Sequence, residues 1–142
     1  MTVSVQADLF DDLRTVTFVA YSCGGTGDRE DPACLVIRAK EFRPPELYIV
    51  WHTRLDEDCT VTIRVDSAAA EVERWPLSTD REASFYPGSV TALLERLAST
   101  RRLLARTTPH GASAITVEFD LRDFGRLVRP HRWVLAPEPG RR

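Results

Sequence analysis

The chain reads as a series of short segments in which apolar and polar residues alternate, interrupted by two stretches of helical spacing. "RTVTFVAY" sets Val16, Phe18 and Ala20 on one face, and "CLVIRAK" sets Leu35, Ile37 and Ala39 against Val36, Arg38 and Lys40. A period of two in residues rich in Val, Ile, Thr and aromatics is the pattern of a half-buried strand. "ELYIVWH", after Pro44 and Pro45, puts Leu47, Ile49 and Trp51 opposite Tyr48, Val50 and His52. Both faces are apolar enough to predict a central strand. "CTVTIRVD" alternates Val61, Ile63 and Val65 with Thr62, Arg64 and Asp66 after the acidic turn "LDED", and is expected to form a hairpin with the strand before it. "EVERWPLS" predicts an edge strand or a strand end, because Pro76 has no N–H to donate to a ladder.

The period then changes. In "VTALLERLAS" the apolar residues Val90, Leu93, Leu94, Leu97 and Ala98 follow the i, i+3, i+4, i+7, i+8 series of an amphipathic helix, with Ser89 placed to cap its N-terminus. "LLARTTP" and "SAITVEFDL" predict a second hairpin across "PHGA", with Ile115, Val117, Phe119 and Leu121 facing inward. A short helix over "LRDFGRLVRP" carries Leu121, Phe124, Leu127 and Val128 on one stripe; Gly125 weakens it and Pro130 ends it. Gly24, Gly25, Gly27 and Pro32 mark a long surface loop between the first two strands.

Most successive strands are thus linked by turns rather than by helices, which argues against a parallel doubly wound sheet. The expected fold is mainly β within the α+β class: an antiparallel β-sandwich or partly open barrel with one longer and one short helix. A single domain accounts for residues 1–142, with an ordered core over about 14–133 and a frayed tail over 134–142.

Composition narrows the function more than the fold. A net charge of −2 argues against a nucleic-acid partner, because Asp and Glu offset the plentiful arginine. No apolar run is long enough to span a membrane. The start, "MTVSVQADLFDDLR", lacks the basic and apolar regions of a signal peptide, so the expectation is a cytoplasmic chain, or a periplasmic one if a signal has been trimmed from it. Cys23, Cys34 and Cys59 match no zinc spacing and are expected as free buried thiols; a Cys23–Cys34 bridge across "CGGTGDREDPAC" is the alternative.

No motif for catalysis, cofactor or metal binding is present. His52, His110 and His131 have no imidazole at ligand spacing, and "CGGTG" opens no helix and lacks the Lys-Ser/Thr of a phosphate loop. His52 near Asp56 and Asp58, Cys59 with His52, and Ser78 with Asp80 are the pairings that chemistry would need, and none comes with an oxyanion pocket in sequence. The expectation is a protein that is not an enzyme, with no catalytic, cofactor-binding or metal residues.

The most distinctive stretch is "WPLSTDREASFYPGS", residues 75–89. Its geometric reading sends Trp75 and Leu77 to the core, gives Ser78, Thr79, Asp80 and Arg81 to a turn, and returns Phe85 and Tyr86 to the core before "PG" breaks the strand. Its functional reading makes Trp75, Asp80, Arg81, Phe85 and Tyr86 an interaction loop.

These segments, taken in order, resemble the VasI family of type VI secretion accessory proteins. The resemblance runs through "LVIRAK", "ELYIVW", the 75–89 corner, "LLERL", "RLLARTTPHGASAITVEFDL" and "FGRLVRPHRW", from about Leu35 to Trp133. It implies a bacterial protein with protein partners in a contractile secretion apparatus, and no catalytic residues to carry over. The family pattern has Cys where this chain has Ala39, and another just before the final Trp, where this chain reads "PHRW". A small-ligand or envelope-component binding module is the rival function.

Overall fold

The computed structural model describes residues 1–25 and 32–135; the side chain of Cys23, most of the glycine-rich loop and the tail after residue 135 lie outside the described residues. The chain is mainly β, with strands β1 (Thr2–Ala7), β2 (Arg14–Gly25), β3 (Cys34–Lys40), β4 (Glu46–Val50), β5 (Thr60–Val65), β6 (Glu71–Arg74) and β7 (Ala83–Phe85). Helix α1 (Val90–Leu97), strands β8 (Arg102–Thr107) and β9 (Ile115–Asp120), helix α2 (Phe124–Val128) and a 3-10 turn (Arg129–Val134) complete it.

All pairings are antiparallel, in the order β6-β5-β8-β9-β2-β3-β4-β7, with β1 added beside β2. The long strand β2 makes this possible. Its first part pairs with β1 and β3, and after a bulge between Ser22 and Gly24 its end pairs with β9. A bulge bends and twists the strand that carries it, so one strand serves both halves of a curved sheet, an antiparallel half-barrel. Apolar side chains predicted to face inward do so: Val16, Phe18, Leu35, Ile37, Leu47, Ile49, Trp51, Val61, Ile63 and Phe119 are all buried.

The helices fill the open side. Ser89 caps α1 as expected, its hydroxyl accepting from Ala92 N at 3.2 Å, and Leu93, Leu94 and Leu97 are buried. Each such side chain contributes about 1.5–3 kcal/mol by leaving water. Helix α2 lays Phe124 edge-on against Phe18 of β2, with ring centroids 5.2 Å apart. Among the described residues, no helix is long and apolar enough to cross a membrane.

Besides Gly24 and Gly25, which end β2 against β9 instead of opening the surface loop, four sequence expectations need correction. The first concerns β5, which pairs with β6 and β8 and not with β4. The second side of β4 is taken by β7. After Trp51 the backbone turns through a positive φ at His52, bonds Leu55 N to Arg81 O, and bridges Leu55 to Pro109. That path carries the chain across to the other half of the sheet, so the acidic "LDED" segment is a crossing and not a hairpin turn.

Order also begins before residue 14, because Thr2–Ala7 forms β1 against Arg14–Val19. Helix α2 does end before Pro130, at Val128, but the chain does not fray there: Pro130 sits in the first turn of the 3-10 segment, where its missing N–H costs nothing, and Val134, expected in the frayed tail, is buried. Phe85, finally, does not return to the core. In the three residues of β7 it is Ala83 and Ser84 that are buried, and Phe85 lies against Tyr48 at 4.9 Å on the outer face of the sheet.

Candidate functional site

The corner from Trp75 to Ser89 joins the two ends of the half-barrel. Residues Glu71–Arg74 pair with β5 at one end of the sheet. Immediately afterwards the chain pairs with β7 at the other end: Phe85 N donates to Pro76 O at 2.8 Å and Ser78 N to Ala83 O at 2.9 Å. Residues 71–78 therefore touch both ends. Pro76 is tolerated here because the seam uses its carbonyl and asks no N–H of it.

The turn is closed by its own side chains. Ser78 Oγ donates to Asp80 Oδ1 at 2.6 Å and accepts from Ala83 N at 3.0 Å, while Asp80 Oδ1 also accepts from Glu82 N at 3.0 Å. Arg81 takes the left-handed conformation, φ 62°, and its guanidinium pairs with the Glu57 carboxylate. Ser78 and Asp80 thus do meet, but as a turn. The Ser78 hydroxyl and the Glu82 N–H favour the ionised carboxyl and hold Asp80 below its ordinary 3.8, which makes it a poorer proton acceptor for any serine chemistry.

Beneath the turn, Trp75 is 2% exposed and meets Tyr86 edge-on at 5.4 Å. Burial raises the Tyr86 hydroxyl pKa, helped by the carboxylates of Glu71 and Glu73. Gly88 lets this ring fold back, since a Cβ there would stand 2.9 Å from the Tyr86 hydroxyl oxygen. Beside the turn lies an open depression of about 310 Å³, lined by Glu57, Arg74, Trp75, Pro76, Thr79 and Arg81 among others.

The five residues of the expected interaction loop thus separate. Trp75 and Arg81 line the depression, Asp80 holds the turn, Tyr86 braces Trp75, and Phe85 lies with Tyr48, over which Arg38 is stacked at 6.0 Å. Sequence reasoning missed Glu57 and Arg74. Arg74 adjoins the corner and could have been included; Glu57 is brought in only by the crossing from β4, which no local pattern announces.

The histidines find other partners than expected. His110 Nδ1 contacts Asp56 Oδ1, so it is His110 and not His52 that meets the acidic segment. His52 Nε2 lies 3.8 Å from Cys34 Sγ. Burial pushes the Cys34 thiol up, away from the thiolate that nucleophilic or metal chemistry needs. Cys34 and Cys59 are free and half-buried, and Cys59 Sγ sits 3.5 Å from Thr107 Oγ1. The Cys23–Cys34 alternative involves a side chain outside the described residues.

What the fold and corner define is a β half-barrel domain with a self-braced loop at its seam. No protein-family model, curated protein or solved structure matches the chain.

A structural role for Asp80 has a measurable consequence. Asp80→Ala should lower Tm by a few degrees, as expected when a local side-chain acceptor is lost. Because the folded carboxyl titrates below its ordinary value, its contribution is present above pH about 4 and is lost as pH falls through the depressed folded value. The Tm gap between wild type and Asp80→Ala should therefore narrow on acidification, as followed by circular dichroism from pH 7 to pH 2. A gap that widens in acid would contradict the assignment.

A second carboxylate behaves alike. The Arg122 guanidinium, with the Arg122 backbone N–H, lowers Asp120 to about 2. Asp120→Asn should flatten the same acid limb of the Tm profile below pH about 4, by a small amount because the pair is solvent-screened.

Proposed function

We propose that this chain is a non-enzymatic accessory domain acting by protein–protein contact, in a type VI secretion or related contractile apparatus. The observation that carries the reading is the corner itself: its polar groups are engaged in bracing a fixed shape beside an open depression. A surface ordered in advance loses less conformational entropy when a partner docks. The exposed rim supplies a cation at Arg74, a flat apolar face at Pro76 and the Arg81–Glu57 pair. The resemblance of residues 35–133 to VasI-type accessory proteins supports the choice of apparatus.

The test places a photo-crosslinking amino acid at exposed Thr79 in the native cell. Crosslinks to sheath, baseplate or membrane-complex components, lost in Arg74→Glu with Tm unchanged, are the expected result. Crosslinks to none of these would remove the secretion context.

The small-ligand reading rests on the same depression, whose volume of about 310 Å³ lies at the low end for small-molecule pockets, roughly 300–1,000 Å³. A soluble cell-wall glycan fragment that raises Tm in the wild type but not in Arg74→Glu would favour it.

A further inference from the structure

Three strands have a side that no other named strand covers: β6, β7 and β1. Two of these sides are guarded. Strand β6 carries Glu71, Glu73 and Arg74, charges of the kind that discourage a further strand. The outer side of β7 is occupied by residues 76–78. Strand β1 has neither protection. Thr2–Ala7 contains no charge and no proline, and among the described residues it pairs with β2 alone.

The ladder identifies which groups face out. Asp8 N donates to Leu13 O at 2.9 Å, so alternation along an antiparallel pair turns the backbone groups of Gln6, Ser4 and Thr2 toward β2. Those of Val3, Val5 and Ala7 point away from it. Arg14, opposite Ala7, agrees with this phase, since its carbonyl accepts from Glu41 N on the β3 side.

Apolar side chains gather at the same edge. Six large apolar residues are exposed among the described residues, and three belong to β1 and the turn that follows it: Val5 (49%), Leu9 (94%) and Phe10 (99%). Leu9 and Phe10 are held out by a braced turn in which Asp8 Oδ1 accepts from Phe10 N at 2.7 Å and Asp11 Oδ1 from Leu13 N at 2.9 Å. Lys40 pairs with both Asp8 and Asp11.

We propose that β1 is a self-association edge: two copies join β1 to β1, antiparallel, about a two-fold axis at Val5. In that register Val5 faces Val5 of the second copy and Val3 faces its Ala7, so every outward N–H and C=O of the three residues finds its complement. Charge selects this arrangement. The two-fold sends the acidic turns, with Asp8, Asp11 and Asp12, to opposite ends of the joined strands, the two Asp8 residues about 20 Å apart at ~3.4 Å per residue. That exceeds the Debye length of about 8 Å at physiological ionic strength, whereas a parallel pairing would set the turns side by side.

A strand of this length joins less than the ~1,200 Å² of a standard interface, so the dimer is reversible, with a Kd on the order of tens of micromolar.

Sedimentation equilibrium of the full chain from about 1 µM to 1 mM tests this, with the apparent mass expected to rise from one chain to two. Val5→Lys sets two ammonium groups against each other at the axis and should weaken association at least tenfold. Val5→Pro removes an outward N–H that the β1–β2 ladder does not use, and should be monomeric with an unchanged far-ultraviolet spectrum. In the wild type, exchange of the Val5 amide should slow with concentration while that of Gln6 does not. A monomer over the whole range overturns the proposal. So does a dimer indifferent to both substitutions, or one in which Val5 exchange is independent of concentration.

Discussion

Trp75→Ala is expected to unfold the domain or bring it to the edge of unfolding at 37 °C. The indole is 2% exposed, belongs to the main core cluster and braces Tyr86 edge-on at 5.4 Å. Truncating a buried aromatic of this size costs about 3–5 kcal/mol, against a total stability of roughly 5–15 kcal/mol for an ordinary domain. Its position adds to the loss. Trp75 stands between the segment that pairs with β5 and the one that pairs with β7, so a cavity there loosens a stretch that touches both ends of the sheet. Urea denaturation followed by far- and near-ultraviolet circular dichroism measures the effect. A variant that keeps its midpoint but loses a partner would instead make Trp75 part of a recognition surface. The depression it lines would then be the place to look for that partner.

Where a contact is local, the sequence announces it. Ser89 and the Leu93, Leu94, Leu97 stripe specify α1 within ten residues, and the β8–β9 hairpin needs only two alternating runs and a turn between them. The Ser78–Asp80 turn is similarly short-range, which is why its geometric reading could be made from residue types alone. What was not legible is the choice of partner over long separations. Strand β5 follows β4 in the chain and carries a suitable pattern, yet β7, some thirty residues further on, takes the vacant side of β4. The alternation of β5 is satisfied equally by either neighbour, since the same face is buried in both pairings. Phe85 departs from its expected place for a related reason. In a strand of three residues period and phase cannot be separated, and the inward position belongs to Ser84, whose hydroxyl accepts from Trp51 Nε1 at 2.9 Å. The corner was recognisable as a corner, but Glu57 and the sheet-closing path of residues 71–78 depend on those same distant pairings.

Gly125→Ala is expected to destabilise the protein, although helix propensity alone predicts the opposite. Alanine in place of glycine inside a helix is worth about 1 kcal/mol in favour of folding, and on that scale Gly125 merely weakens α2. Packing reverses the sign. A Cβ at residue 125 would stand 2.3 Å from the carbonyl oxygen of Ala98, the C-cap of α1. The obstacle is backbone, so no side-chain rotation relieves it. Nor can α2 retreat, because Phe124 is packed against Phe18 on one side, and the chain entering the helix is tied by the bond from Leu121 N to Arg101 O, three residues past Ala98. Overpacking of this kind costs about 3 kcal/mol, which leaves a net loss of about 2 kcal/mol after the propensity gain. Arg126→Ala, at an exposed neighbour whose ion pair with Asp123 spans 3.5 Å, is the control and should shift stability by less than about 0.5 kcal/mol. Urea midpoints of the two variants decide the matter. A Gly125→Ala protein more stable than wild type would mean that α2 does not rest on the end of α1, and that the open side of the half-barrel is filled in some other way.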